Sequence, residues 1–498
     1  MFETELKFQV PAERAAAVRA AMARAVPRRE RLRALYVDTP DGALARAGIA
    51  LRVRQEGPRW VQTLKARGSH AAERHEHNVA LPRPARGAEP SLALPARHAG
   101  TPAAEAWAEA LGVSVEAFDA SRLQPVMETD ILRRALRVTD PAGGVVELAF
   151  DEGEIRAGNS VARVCELEYE LIEGSLADLV RQAATGLSLH GLWFDTVSKA
   201  ERGDLLARQL DWGEPVRFAP PALPRHPDGG ALWRAGLASA VAMVLPNASA
   251  VAAGSPVPEH VHQLRVGIRR LRTVVQELGP LVALKSPPNW LPPLVDLFRA
   301  LGAGRDEAAL WASLAPRLEA AGAPAVDWRQ GDEPPPAASP SALVRAEPVQ
   351  HALLALLVES QSGVPGLSPH QAHRHVGDRL DRLHRQAARA GRDFAKLPES
   401  AQHQARKRIK RLRYLIDIVG TLSGRPKATR RYLRTLAAAQ DALGEYQDLL
   451  TALPLYRGAA SRQPEAWFAC GWLVSQQQVA AVRCGSALRA VGRSTRFW

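Results

Sequence analysis

The chain has 498 residues, 46% of them hydrophobic, with 65 Lys and Arg against 52 Asp and Glu, a net charge of +13. That hydrophobic share excludes a disordered polymer, and at roughly 100–200 residues per domain the length accommodates two to four domains. Cys165, Cys470 and Cys484 form no CxxC pair, so neither a disulfide framework nor a zinc site is expected. No apolar run reaches the ~18 residues of a membrane span, and charge begins at Glu3 with no apolar leader behind it, so a cytoplasmic protein is expected.

The charge is unevenly placed. Residues 1–210 carry 28 basic and 29 acidic side chains, and residues 211–498 carry 37 and 23. A nearly neutral module is therefore joined to a strongly basic one, which implies a polyanionic partner for the second.

In chain order, the runs Phe2–Val10, Ala34–Asp38, Ile49–Gln55, Trp60–Lys65, Arg74–Leu81, Val145–Asp151 and Val164–Ile172 alternate with a period of two and predict strands. Pro11–Ala25, Ala- and Arg-rich behind a proline, predicts a helix. Residues 82–100 have no periodicity and read as a loop. Asp211–Gly230 holds five prolines, the composition of a stiff linker. Beyond it the pattern is helical, interrupted by a second Pro-rich break at Gly331–Pro340. The expected domains are 1–205, a linker over 206–228, and 229–498, whose halves run over about 229–330 and 345–498.

Those halves contain a repeat. HQLRVGIRRLR at His262–Arg272 returns as HQARKRIKRLR at His403–Arg413, 141 residues later. LGAGRD, ending at Asp306, returns as LGEYQD, ending at Asp448, 142 residues later. Two phrases in the same order and at nearly equal separations, one insertion apart, imply duplication.

In the strands, Glu3, Glu5 and Lys7 share one face. Arg52 and Arg54 share another, Arg74, Glu76 and Asn78 a third, and Glu166, Glu168 and Glu170 a fourth. A solvated sheet face explains ordinary mixed charge, but like charges grouped within one strand are unfavourable without a partner. Carboxylates supply hard oxygen ligands for a divalent cation, and Lys and Arg neutralise phosphoryl oxygens. If the sheet closes, these faces line a tunnel and the apolar faces pack outward. No Gly-rich phosphate loop is present. In the repeat, His262, Arg265, Arg269 and Arg272 fall on one helix face, as do His403, Arg406, Lys410 and Arg413. Neither segment contains an acid, so both faces call for an anion. His75 and His77 lack a third ligand nearby, and of His370, His373 and His375 only the first two suit one helix face, so neither group is expected to bind a metal. No aromatic-rich binding motif or helix-turn-helix signature supports a nucleic-acid partner.

ETELK at Glu3–Lys7 resembles the E-x-E-x-K opening of the CYTH, or triphosphate tunnel metalloenzyme, superfamily. The resemblance continues in family order through Tyr36–Arg54, Thr63–Lys65, Arg74–Val79, Glu128–Arg133, Glu147–Ile155, Cys165–Leu171 and Ser198–Gly203. It implies an antiparallel β-tunnel of about eight strands with flanking helices, and hydrolysis of inorganic tripolyphosphate with Mg²⁺ or Mn²⁺. By this resemblance Glu3, Glu5, Glu166 and Glu168 hold the metal, and Lys7, Arg52, Arg54, Lys65, Arg133 and Lys199 hold the phosphates. Catalytic parts fall to Glu3, Glu5, Lys7, Glu76 and Asp151, and Glu170 is structural. Arg133 is preferred to its neighbour Arg134 by phrase alignment alone, and His77 is expected to point away from the tunnel. The duplicated helices resemble the CHAD domain, which implies an all-α domain of two helical-bundle halves that binds inorganic polyphosphate and brings the protein to polyphosphate granules. Thiamine triphosphate or ATP as substrate, and a non-catalytic polyphosphate-binding scaffold, remain the alternatives.

Overall fold

The computed structural model describes residues 2–68, 72–83, 94–140, 143–302, 305–326 and 338–498, with side chains except at Phe2 and 305–309. Much of the 82–100 loop and of the second Pro-rich break therefore lies outside the described residues, as do the side chains of Arg305 and Asp306 in the first LGAGRD phrase.

Among the described residues nine strands form one sheet: β1 (Phe2–Gln9), β2 (Arg28–Asp38), β3 (Ile49–Glu56), β4 (Arg59–Arg67), β5 (Glu73–Leu81), β6 (Gln124–Thr139), β7 (Val145–Ala157), β8 (Ser160–Glu173) and β9 (Trp193–Phe194). The order is β5-β4-β3-β2-β6-β7-β8-β1, and β5 pairs back onto β1, so eight antiparallel strands close into a barrel with β9 added on β1. The tunnel expected from the sequence is present. β6 was not among the expected strands. Its inner face carries Arg133 while Leu132 is exposed on the outer face, so the apolar alternation that marks a strand breaks there.

The helices among the barrel strands are α1 (Ala15–Arg24), α2 (Ala43–Arg46), α3 (Pro102–Leu111), α4 (Leu176–His190) and α5 (Lys199–Ala207). α3 drives the fully buried Trp107 onto the outer surface formed by Leu51, Val53 and Leu64. A burial of that size contributes about 2–3 kcal/mol. α4 and α5 approach the sheet at glycines. A Cβ at Gly186 would collide with the Tyr169 hydroxyl, and one at Gly203 with the Met127 sulfur. Capping boxes start both helices, at Ser175 with Asp178 and at Ser198 with Glu201. The second cap fixes Lys199 at the first position of α5.

Among the described residues ten further helices follow: α6 (Gly229–Ala252), α7 (Pro258–Leu278), α8 (Leu291–Ala300), α9 (Arg305–Ala320), α10 (Pro340–Arg345), α11 (Glu347–Gln361), α12 (Pro369–Ala390), α13 (Glu399–Val419), α14 (Pro426–Ala459) and α15 (Ala466–Arg493). α6 is long and apolar enough to cross a membrane by length and composition, although the residue pattern suggested no such run. Two-thirds of that window (67%) is buried in the protein.

The compact units do not follow chain order. The first joins Met1–Arg217 to Ala242–Leu264 and Pro340–Val358; the second comprises Phe218–Val241, Arg265–Ser339 and Glu359–Trp498. In the first unit, the Ser249 hydroxyl donates to Asp195 at 2.7 Å, Gln350 Oε1 accepts from the Phe194 amide at 2.8 Å, and the Arg345 guanidinium lies 3.8 Å from the Trp193 ring centroid. In the second unit α12 buries Ala372, Val376, Leu380, Leu383 and Ala387, spaced three or four apart as one helix face requires. Arg270 donates to Asp417 at 2.8 Å between the two repeat helices, and the buried Glu277 accepts from Arg379 at 2.8 Å and pairs with Arg411 at 3.4 Å. Leu314, Leu449, Tyr456, Cys470 and Leu473 form a separate core between α9, α14 and α15.

Candidate functional site

Alternation along eight closed strands sends every second side chain inward, and here the inward set is charged. A cavity of about 900 Å³ occupies the bore. Of the residues anticipated from the sequence, Glu3, Glu5, Lys7, Arg52, Arg54, Lys65, Glu76, Arg133, Asp151, Glu168 and Lys199 all line it. Lys65 lies between two acids, 2.6 Å from Glu3 and 2.5 Å from Glu76. Arg133 donates to Asp151 at 2.8 and 2.7 Å and also pairs with Glu168. Arg134 points outward to Glu152, so the choice between the adjacent arginines is decided by which side of the strand each occupies. Arg52 donates to the Tyr36 hydroxyl at 3.0 Å, Arg54 to Glu56 at 2.8 Å, and the Lys7 ammonium to the Val197 carbonyl.

Two placements depart from expectation. Glu166 shares a strand face with Glu168 but is not among the cavity-lining residues. It is fully buried, paired with Lys199 and Arg202, and accepts from Gln9 at 3.3 Å. It is in register with Gln9, near the end of β1, where α5 covers the sheet. Glu170, expected to be structural, instead lines the cavity in register with Glu5. Sequence reading also passed over Tyr36 and Glu147, which line the bore too; both sit in alternating runs whose inner and outer sides only closure distinguishes. His77 faces outward as expected, its Nδ1 2.9 Å from Nδ1 of His98.

The electrostatics divide the bore in two. Oxygens of Asp151, Glu166 and Glu168 lie within 4.8 Å of one another, but the Lys199 ammonium sits among all three, 2.7 Å from Asp151 and from Glu168. Lys199 and Arg133 hold the Glu168 carboxyl well below the usual range, against the effect of burial. At the other group the balance reverses. Burial pushes the Glu3 carboxyl well above its ordinary value despite Lys65, with Glu5 and Glu76 adding repulsion. Burial likewise raises Glu170, opposed by Lys65 and reinforced by Glu147 and Glu5. Glu3 and Glu170 are thus hard oxygen donors that the nearby positive charge does not fully compensate, with Glu5 and Glu147 in register with Glu170 on either side, and carboxylates of this kind suit a divalent cation.

In the second unit α7 and α13 bring Arg265, Arg269, Arg406 and Lys410 together beside Asp448. The guanidinium groups of Arg265 and Arg269 lie 5.0 and 5.6 Å from the Phe298 ring. Burial, and then Arg269 and Arg406, push the Lys410 ammonium down to about 7. His403 Nδ1 lies 3.3 Å from Gln447 Oε1, and Arg413 donates to Gln440 at 3.1 Å. Arg272 is exposed near Arg411 rather than within the four-residue cluster, and His262, on the part of α7 that belongs to the first unit, is exposed.

A closed barrel with a charged bore, followed by a helical domain with a duplicated basic helix, defines a tunnel-type barrel protein with an appended basic bundle. The CYTH domain family matches residues 1–203 and the CHAD domain family residues 235–457, one domain of each. An inorganic triphosphatase from Haemophilus influenzae is 32% identical over 181 residues, 36% of this chain and 47% of that protein, so the match spans about half of the relative's length. Among solved structures, the CHAD domain from the plant Ricinus communis is 28% identical, covering 57% of this chain and 98% of that one with a TM-score of 0.43. A Hippeastrum protein described as having a dominant triphosphatase activity is 20% identical, covering 42% and 97%, with a TM-score of 0.30.

Proposed function

We propose that the barrel hydrolyses inorganic tripolyphosphate to pyrophosphate and phosphate, and that the helical domain holds inorganic polyphosphate. The observation that carries this reading is the lining of the bore. Lys7, Arg52, Arg54, Lys65, Arg133 and Lys199 face one cavity with the strand carboxylates Glu3, Glu5, Glu76, Glu147, Asp151, Glu168 and Glu170, and Tyr36, hydrogen-bonded by Arg52, is the one aromatic side chain among its described lining residues. A lining this rich in cations and carboxylates, with one tyrosine already engaged by Arg52, supports an inorganic chain over ATP or thiamine triphosphate.

Glu3, Glu5 and Glu170, with Glu147 beside them, would hold a divalent cation, Mg²⁺ or Mn²⁺; Glu166, neutralised by Lys199 and Arg202, would not. When bound, the cation neutralises phosphate oxygens and lowers the pKa of water. The chain's own residues do the positioning. Buried Asp151 fixes Arg133 and Lys199, so both donors face the phosphates already oriented. Lys65 neutralises phosphoryl charge from the β4 side, and Arg52 and Arg54 do so from β3.

Phosphate release from purified protein with Mg²⁺ or Mn²⁺ tests the reading across tripolyphosphate, long-chain polyphosphate, ATP and thiamine triphosphate. Tripolyphosphate should turn over fastest, and Glu3→Gln and Glu5→Gln should each lose at least ~100-fold. Faster turnover of ATP or thiamine triphosphate would replace the substrate, and no turnover of any would leave a binding scaffold.

A further inference from the structure

Five large apolar side chains stand exposed on one helix, α15: Trp467 (62%), Phe468 (45%), Val474 (39%), Val479 (52%) and Val482 (64%). The opposite side of α15 is already committed to the core through Ala466, Ala469, Cys470, Leu473, Ala480 and Cys484. The helix is therefore apolar on two sides, although a single-sided stripe suffices to dock a helix on its own domain. Gly471, Ser475 and Gln478 fill the gaps in the outer stripe, and no charged residue occurs from Ala466 to Val482. A charge-free strip of this length is a mark of an interface.

We infer that this face of α15 pairs with the same face of a second copy of the chain, antiparallel, about a two-fold axis near Val474. The charges bounding the strip identify the occupant. Glu465 precedes the first residue of α15 and Arg483 follows the strip, 18 residues later. Eighteen residues are about five helical turns, some 27 Å, so both charges lie on the same edge of the stripe. A two-fold axis perpendicular to the helices keeps that edge on the same side in both copies and reverses its direction. Each Glu465 then meets the second copy's Arg483, and the valines at 474 meet each other. Arg483 is 3.0 Å from Glu445 in the isolated chain, so the new contact shares an existing pair and does not require an unpaired base. Antiparallel helix dipoles favour the same arrangement. A bilayer or a partner of one charge sign complements only one end of the strip. Five turns cover roughly 300 Å² per copy, short of the ~800 Å² typical of stable pairs, so the dimer is reversible.

Sedimentation velocity and light scattering on the full chain from ~5 to ~200 µM test this. We expect concentration-dependent dimerisation, weakened at least tenfold by Val474→Glu with Val482→Glu, both at exposed positions. Glu465→Arg alone should weaken it, and Glu465→Arg with Arg483→Glu should restore it. Val474→Cys should form a disulfide-linked dimer on mild oxidation, a readout that does not depend on the glutamate variants folding. Three results overturn the inference: a monomer throughout the range, a dimer indifferent to the glutamate variants, or a monomer captured through this face by anionic phospholipid vesicles.

Discussion

Lys410 offers the sharpest test of the basic cluster. Its ammonium is depressed to about 7 from an ordinary 10.5, by burial and by Arg269 and Arg406 beside it. At neutral pH the empty site therefore holds this lysine about half protonated. A bound polyanion favours the charged form, so binding takes up a proton and must weaken as pH rises through 7 and beyond. If the anion restores the ordinary value, affinity at pH 8.5 falls roughly 30-fold below that at pH 6, about 2 kcal/mol. The internal phosphates of a long polyphosphate do not titrate in this window, so titration calorimetry at the two pH values reads the protein. Lys410→Met should remove this part of the slope and bind more weakly at pH 6, while Lys410→Arg should bind tightly at both. The three proteins differ only at residue 410, so the comparison isolates Lys410. A pH slope unchanged in Lys410→Met would refute the argument.

Three further outcomes follow from particular contacts. Arg133→Ala should lower tripolyphosphate turnover by at least ~100-fold and Arg134→Ala by less than ~3-fold, because only Arg133 faces the bore. Glu277→Ala, which leaves Arg379 and Arg411 without their buried counter-charge, should cost about 3 kcal/mol in urea denaturation. The Gln62 amide oxygen accepts from the Leu94 amide and from Arg97, which turns its nitrogen toward His98 Nε2 and leaves His98 Nδ1–H for His77. Burial, and His77, lower His98 to about 4. A histidine depressed in the folded state adds stability above its unfolded value near 6.5 and loses it as pH falls toward 4. That loss should be about 2–3 kcal/mol by denaturant titration, and His98→Leu should flatten it.

Much of this was legible in the residues themselves. Alternation in β1, β3, β4, β5, β7 and β8 follows from the period of two that any half-buried strand imposes, and the duplicated helices announce themselves because similar phrases recur in the same order at nearly equal spacing. The clustered like charges also show from sequence alone that something must neutralise them. What sequence left undecided was each side chain's direction and company. Arg133 and Arg134 are chemically equivalent neighbours until barrel closure puts one inside and one outside. Glu166, Glu168 and Glu170 share a strand face, yet α5 lays Lys199 and Arg202 over the first, while β1 sets Glu5 against the last. Lys410 reads as one more cation on a basic helix face until α7 sets two arginines against it. Local periodicity is a property of one segment and can be read from it. Which carboxylate is compensated, and which lysine gives up its proton, depends on charges tens or hundreds of residues away, and only the tertiary structure brings those within Coulombic reach.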